Sequence, residues 1–395
     1  MKHVKSGSYL IYQSMIFALF LISGAVKFIF SDIDFPLDIT LLLSSLIFVD
    51  ILYNMSTKSI LIKKLSANQI LFLLSYLAFY LLMAMSLFYT KSISYGNGKT
   101  FFFILNLISF CYPFFMKNFE HKVFFKIMVV PLILVSIWFL AKRYLSWYAP
   151  SPETRIFYKQ FTGNYLLLCN AIAFCVLYYI YQKKYLFSLA LFVLIIALGG
   201  RGPILFLILL VAYWKIHTMI NIKVNVKIVK RIGYALLLLP PFLYFFWGYI
   251  ANAFKVGLGR ITSFLNYEQD ASVLSRFYYF DFAVEKIFSS IQSFFFGHGI
   301  GSFGIMYNGI DKREFPHNIF LEAWFELGLV GFLLTIIIFV FPILVYHKKS
   351  LFIKLMCVYF LMHSLKSGSL DGMRFMSGVY GMLIFFDYGI FNEKK

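Results

Sequence analysis

Charge is scarce in this chain. Only 13% of its 395 residues are Asp, Glu, Lys or Arg, 61% are hydrophobic, and the mean hydropathy is +0.80. A soluble fold cannot bury that much apolar surface, which leaves a polytopic membrane protein. Negative charge is scarcer still: 17 acidic residues stand against 36 basic ones, a formal net charge of +19. The excess does not point to nucleic acid, because no soluble basic domain exists to bind it. Cysteine is limited to Cys111, Cys169, Cys175 and Cys357, all inside apolar runs. A disulfide framework is thereby excluded, and the spacing is not that of metal ligands. No metal and no cofactor are expected. The first apolar run, 9–30, is too long for a signal-peptide core and no small-residue cleavage pattern follows it, so it is read as a retained span.

Aromatic residues are abundant instead. The 50 phenylalanines and 28 tyrosines suit lipid-facing and interfacial positions. A span needs about 20 apolar residues. Twelve such runs are read, at 9–30, 35–53, 68–89, 100–116, 123–141, 164–181, 185–199, 202–219, 232–250, 318–346, 351–366 and 373–390. With the N-terminus in the cytoplasm, the inner segments hold 20 of the 36 basic residues, the orientation that the positive-inside rule favours. Residues 251–317 then form one long outer loop within a single transmembrane domain, 1–395. In "SVLSRFYYFDFAVEKIFSSI" (272–291), Phe277, Phe280, Val284, Ile287, Phe288 and Ile291 make one helical stripe. That stripe predicts an amphipathic helix lying on the membrane or capping the bundle.

Arginine is distributed unevenly. Arg143, Arg155, Arg201, Arg260, Arg276, Arg313 and Arg374 fall on the outer side, and only Arg231 falls inside. Topology is served equally by lysine. Arginine differs in a planar fork that grips phosphate or carboxylate with two hydrogen bonds, so the outer face is read as meeting an anionic ligand. Asp371 beside Arg374 reads as an outer-end pair. Asp32 and Asp34 read as a solvated turn. The Gly299-x-Gly301-x-x-Gly304 run has the letters of a dinucleotide fingerprint, but no strand precedes it and no βαβ unit follows, so nucleotide binding is excluded. Its glycines are expected to form a tight turn, with His298 structural.

The stretch "FPHNIFLEAWFELGLVGF" (315–332) puts His317 at the outer end of the tenth span. In a continuous helix Gly328, eleven residues on, would share its face three turns below, with Leu321, Trp324 and Gly331 nearby. This spacing resembles a known signature. His317-Asn318, nine residues, then Gly328-Leu329-Val330-Gly331 is similar to the His-Asn/Ser/Gln, nine residues, Gly-x-x-Gly pattern of the O-antigen polymerase and ligase superfamily. "LGGRGPILFL" (198–207) resembles that family's arginine segment at Arg201. "SRFYYFDFAVEKIF" (275–288) resembles its loop-arginine segment at Arg276, with Phe280 where the pattern has leucine. "FFGHGIGSF" (295–303) resembles its glycine-rich turn. The likeness is best over 160–345 and reaches the first 150 residues in hydropathy alone.

The resemblance implies an all-α, GT-C-like bacterial inner-membrane enzyme with about twelve transmembrane helices and a long periplasmic loop containing amphipathic helices. It would polymerise undecaprenyl-diphosphate-linked oligosaccharide repeats without a metal. His317 would act as the base. Arg201, Arg276, Arg313 and Arg374 would hold the donor diphosphate, and Asn318, Gly328 and Gly331 would line the substrate groove. Membrane lipids and a chain-length regulator protein would be partners. Two relatives share the pattern: a ligase that delivers glycan to lipid A-core, and a transferase that delivers it to protein. The short, phenylalanine-rich chain with no added soluble domain favours the polymerase. A flippase would fit the span count but predicts related halves and ionisable residues deep in several spans; the halves differ and mid-span charge reads as sparse.

Overall fold

The computed structural model describes residues 2–27, 38–56, 65–116, 119–147, 165–219, 271–346 and 351–385. Among the described residues every regular element is helical, as the apolar runs require: fourteen α-helices and one 3₁₀ turn. They are α1 (Lys2–Val26), α2 (Ile39–Ser56), α3 (Ala67–Ser86), α4 (Ser94–Phe115), α5 (His121–Trp147), α6 (Tyr165–Tyr181), α7 (Tyr185–Leu198) and α8 (Arg201–Met219). There follow α9 (Ala271–Ile287), α10 (Ile291–Phe296), α11 (Ser302–Asn308), α12 (Ile319–Tyr346), α13 (Leu351–Ser367), the 3₁₀ turn (Leu370–Gly372) and α14 (Arg374–Phe385).

Eleven of the twelve predicted spans coincide with a helix. The other, 232–250, lies outside the described residues, as do Asp32, Asp34, Arg155, Arg231 and Arg260. Among the described residues five helices are long and apolar enough to cross a membrane: Ile39–Ser56, Ala67–Ser86, Ser94–Phe115, His121–Arg143 and Ile319–Val345. The fold is that of a polytopic all-α membrane protein.

The chain divides into two compact units, one of residues 1–131 with 268–395 and one of residues 132–267. In the first, α14 lies along α4, with Gly378 and Gly381 where the helices meet: a methyl group at Gly381 would strike the Phe110 carbonyl. Small residues let helix backbones approach this closely. Tyr76 stacks on Phe110 with ring centroids 3.9 Å apart, and its hydroxyl is 3.0 Å from that of Ser377. A Ser66–Gln69 capping box starts α3. The Gln69 amide also donates to the Ile384 carbonyl at 2.6 Å, tying α3 to the end of α14.

Three turns of this unit meet at one end: 87–93, 297–317 and 368–373. Thr90 Oγ1 donates to the Ile300 carbonyl at 2.6 Å, Ser92 Oγ to Asp311 at 2.5 Å, and the Leu370 amide to Glu322 at 2.9 Å. The twelve-span reading puts all three turns on the same side. In the second unit, Gly199 closes α7 in the left-handed conformation. Arg143 donates to the Ala197 and Leu198 carbonyls there, at 3.2 and 3.3 Å.

The predicted stripe on α9 is divided. Ala283 and Ile287 are buried with Phe303, Leu321 and Phe325, and Tyr279 and Phe282 pack against that cluster. Phe277, Phe280, Phe288 and Ile291 point outward. Both faces are apolar, so period alone could not tell which one the protein covers.

Candidate active site

The site is built around a break in α12. Gly328 has φ 70° and ψ −166°, so the helix is two pieces joined at that residue. This backbone region is essentially restricted to glycine. A side chain at Gly328 would strike the Phe295 carbonyl group. The break frees carbonyls at the end of the first piece, and the glycine turn covers them. The His298 amide donates to Phe325 O at 2.8 Å and the Gly299 amide to Glu326 O at 2.9 Å. Gly297 approaches so closely that a Cβ there would lie 2.6 Å from the Gly328 nitrogen. The two glycine motifs are therefore one joint. His298 also contacts the Lys286 carbonyl through Nε2 at 3.2 Å and packs on Phe325, a structural placement.

The expected shared face of His317 and Gly328 does not exist. His317 precedes the helix, and its φ of 57° bends the chain before the first turn. Asn318 is the helix cap: its side-chain oxygen accepts from the Phe320 and Leu321 amides at 3.0 and 3.1 Å. Gly331 packs beneath Leu327 and Ala323, inside the same broken helix. Asn318, Gly328 and Gly331 thus shape the helix that carries His317 rather than form a small-residue groove below it. Gly328→Ala is expected to lower the thermal stability of the detergent-solubilised protein by roughly 1–3 kcal/mol from backbone strain alone. Gly98→Ala, where a methyl group meets nothing within 4 Å, should leave the melting curve in place.

Arg276 lies on the inner face of α9, one turn before Tyr279. The Tyr279 ring stacks on the His317 imidazole with centroids 5.9 Å apart, and Phe315 sits 4.5 Å away on another side. Burial lowers the His317 pKa most; the positive charges of Arg276 and Arg313 lower it further, to about 4. The imidazole is therefore neutral at physiological pH, with a free lone pair beside two cations. Arg313 is fixed by Asp371, its Nε and Nη2 donating at 2.7 and 3.2 Å. Burial would push the Asp371 carboxyl up, but Arg313 and then Lys99 hold it below the usual carboxylate range. The expected Asp371–Arg374 pair is thus replaced by Asp371–Arg313. Arg374 instead points at α1: its Nη2 lies 2.7 Å from where a Gly24 Cβ would be, and its guanidinium is over the Phe20 ring.

Beneath this layer is an ionic cluster that the sequence reading missed. Lys99 Nζ donates to Glu322 at 2.5 Å and to both Glu326 oxygens at 2.6 and 2.7 Å, with all three side chains fully buried. The cluster lies in the outer turns of α4 and α12 rather than at mid-span. The available signal was Glu322 and Glu326 at i, i+4, facing one way in an apolar helix. Removing one partner from such a cluster costs roughly 3–5 kcal/mol, because the others are left buried and uncompensated.

The structure therefore brings together His317, Arg276 and Arg313, with Asn318, Gly328 and Gly331 supporting them. Arg201 opens α8 in the second unit, and Arg374 faces α1. Among the described residues no group of three or more His, Cys, Asp or Glu side chains could hold a metal.

A comparison with protein families matches residues 186–336 to the O-antigen ligase family. The matched stretch contains Arg201, Arg276, Arg313, His317 and the broken half of α12. A comparison with curated proteins finds no match. The family match supports a glycosyltransferase-like membrane enzyme with a polymerase or ligase role in O-antigen biosynthesis.

Proposed function

We propose that this protein joins undecaprenyl-diphosphate-linked oligosaccharide repeats at the periplasmic face of the bacterial inner membrane, a reading supported by the similarity of residues 186–336 to the O-antigen ligase family. The observation that carries the reading is the arrangement of His317 between Tyr279 and Phe315, beside Arg276 and an Arg313 fixed by Asp371. A lipid-diphosphate donor needs both functions. Its leaving group gains negative charge, which guanidinium groups stabilise. The acceptor hydroxyl must lose a proton, which a neutral imidazole accepts.

In this mechanism the acceptor oxygen attacks the anomeric carbon of the donor as His317 takes its proton. The bond from that carbon to the diphosphate oxygen breaks, and undecaprenyl diphosphate departs from the opposite face with inversion. Arg276 and Arg313 hold the diphosphate. Arg374 is left out, since its guanidinium is turned to α1. Binding of the anion offsets both cations, so the imidazole becomes more basic when a donor is present. No nucleotide is required, because the lipid-diphosphate bond supplies the energy.

The family description favours a second reading, a ligase whose acceptor is lipid A-core; the same residues would serve it. The phenylalanine-rich composition favours the polymerase. Deleting the gene separates them. A single repeat unit on lipid A-core is the expected result. Long chains stranded on undecaprenyl diphosphate would make the enzyme a ligase, and an unaltered surface glycan would remove both readings.

A further inference from the structure

We propose that Asp371 is a positioning residue, braced from behind by Lys99 and Glu322, that aims the Arg313 guanidinium at the anion bound beside His317. The proposal rests on the functional reading above for the identity of the anion, but its geometry is independent of it.

Arg313 sits in an irregular segment, 309–318, and its side chain is 53% exposed. A long side chain in such a place would ordinarily sample many rotamers. Asp371 prevents this. Its carboxylate is almost fully buried at the 3₁₀ turn, and it engages Nε and Nη2 of Arg313 in the two-bond geometry that fixes a guanidinium plane. Asp371 leaves Nη1 of the fork unengaged. The plane is further set by the Phe315 ring, 5.5 Å from the guanidinium carbon, and Phe315 also contacts His317.

Asp371 is itself held on several sides. Ser369 Oγ donates to Oδ1, and Tyr95 of α4 donates to Oδ2 at 3.4 Å. The preceding amide, Leu370, donates to Glu322 Oε2, whose other oxygen receives Lys99. The bracing runs from α4 through α12 to the 3₁₀ turn and ends on Arg313. Asp311 fixes the near side of the same segment by bonding Ser92 Oγ at 2.5 Å and the Ser94 amide at 2.7 Å. The charged groups acting on His317 are Arg276 from α9 and Arg313 from this segment. Those acting on Asp371 are the cations Arg313 and Lys99 and the carboxylates Glu322 and Glu326.

Neutralising an aspartate that acts only through its own charge would leave Arg313 uncompensated in place and lower the imidazole pKa. Losing one that aims Arg313 releases the guanidinium and raises it. The experiment reads carbethoxylation of His317 by diethyl pyrocarbonate against pH, with the modified peptide quantified by mass spectrometry in the full-length protein. The reagent attacks the neutral ring, so the midpoint follows imidazole protonation without any need for turnover. Asp371→Asn and Arg313→Gln should each move the midpoint upward, toward the ordinary histidine value. The double variant should move it no further than Arg313→Gln does alone. Asp371→Glu should restore part of the native midpoint. If Asp371→Asn fails to accumulate, Ser369→Ala, which removes one support of the carboxylate, should give a smaller shift of the same sign. An unchanged or lowered midpoint in Asp371→Asn or, where that variant is lost, in Ser369→Ala overturns the proposal, as does an additive double variant. Retained polymer synthesis in His317→Ala would instead sink the functional reading while leaving the carbethoxylation result intact.

Discussion

His317→Ala is expected to make no detectable polymer at normal protein level, because the group proposed to take the acceptor proton is gone. Loss of a general base costs about a hundred- to ten-thousand-fold in rate. Insertion should survive: His317 lies outside α12, and its ring contacts are with half-buried Tyr279 and Phe315. Polymer length on gels, with the membrane protein quantified by blot, decides the matter. His298→Ala is the control. That ring bonds only a helix-end carbonyl and packs on Phe325, so its loss should lower yield more than specific activity. Full-length polymer from His317→Ala would reduce the imidazole to an aromatic spacer between Tyr279 and Phe315.

Arg276→Lys should lose roughly a hundred-fold or more in rate, the cost of about 3–4 kcal/mol for one preorganised donor to a developing anion. Lysine keeps the charge and loses the fork. Arg276→Gln separates the two contributions through pH. The active form is neutral imidazole, and the free-enzyme pKa is lowered to about 4 by burial and by the two arginines. Activity measured as kcat/KM should therefore persist as pH falls and fail only near that value. Removing the Arg276 charge raises the imidazole pKa, so the acid limb should move upward in Arg276→Gln and stay in place in Arg276→Lys. A limb that ignores both substitutions would mean that Arg276 does not act on His317.

The helices were legible because runs of about 20 apolar residues have few other solutions. His317, Arg276 and Arg313 could be singled out in the sequence as outer-face candidates, and the fold brings them near one another. Their support could not be singled out. Lys99 meets Glu322 from 223 residues away, and no local period reports such a partner. Asp371 pairs with Arg313 across 58 residues although Arg374 is three positions along; the choice is made by α1, toward which Arg374 turns. Gly328 reads as a small packing residue in any helical projection. Its positive φ follows from the glycine turn that docks on it, which is a tertiary fact.

The divided α12 also has a mechanical consequence. An unbroken helix of 28 residues would be about 42 Å long, against a hydrocarbon layer of about 30 Å. A helix that long adapts to thickness by tilting, and a rigid one would swing its outer end, imidazole included, with every change of lipid. Here the hinge at Gly328 leaves residues 329–346, about 27 Å of helix, to follow the bilayer. Residues 319–327 stay clamped by Lys99, the Leu370 amide and the glycine turn. The height of the imidazole should then be set by the protein rather than by the lipid, and activity should be insensitive to acyl-chain length in vesicles of defined composition.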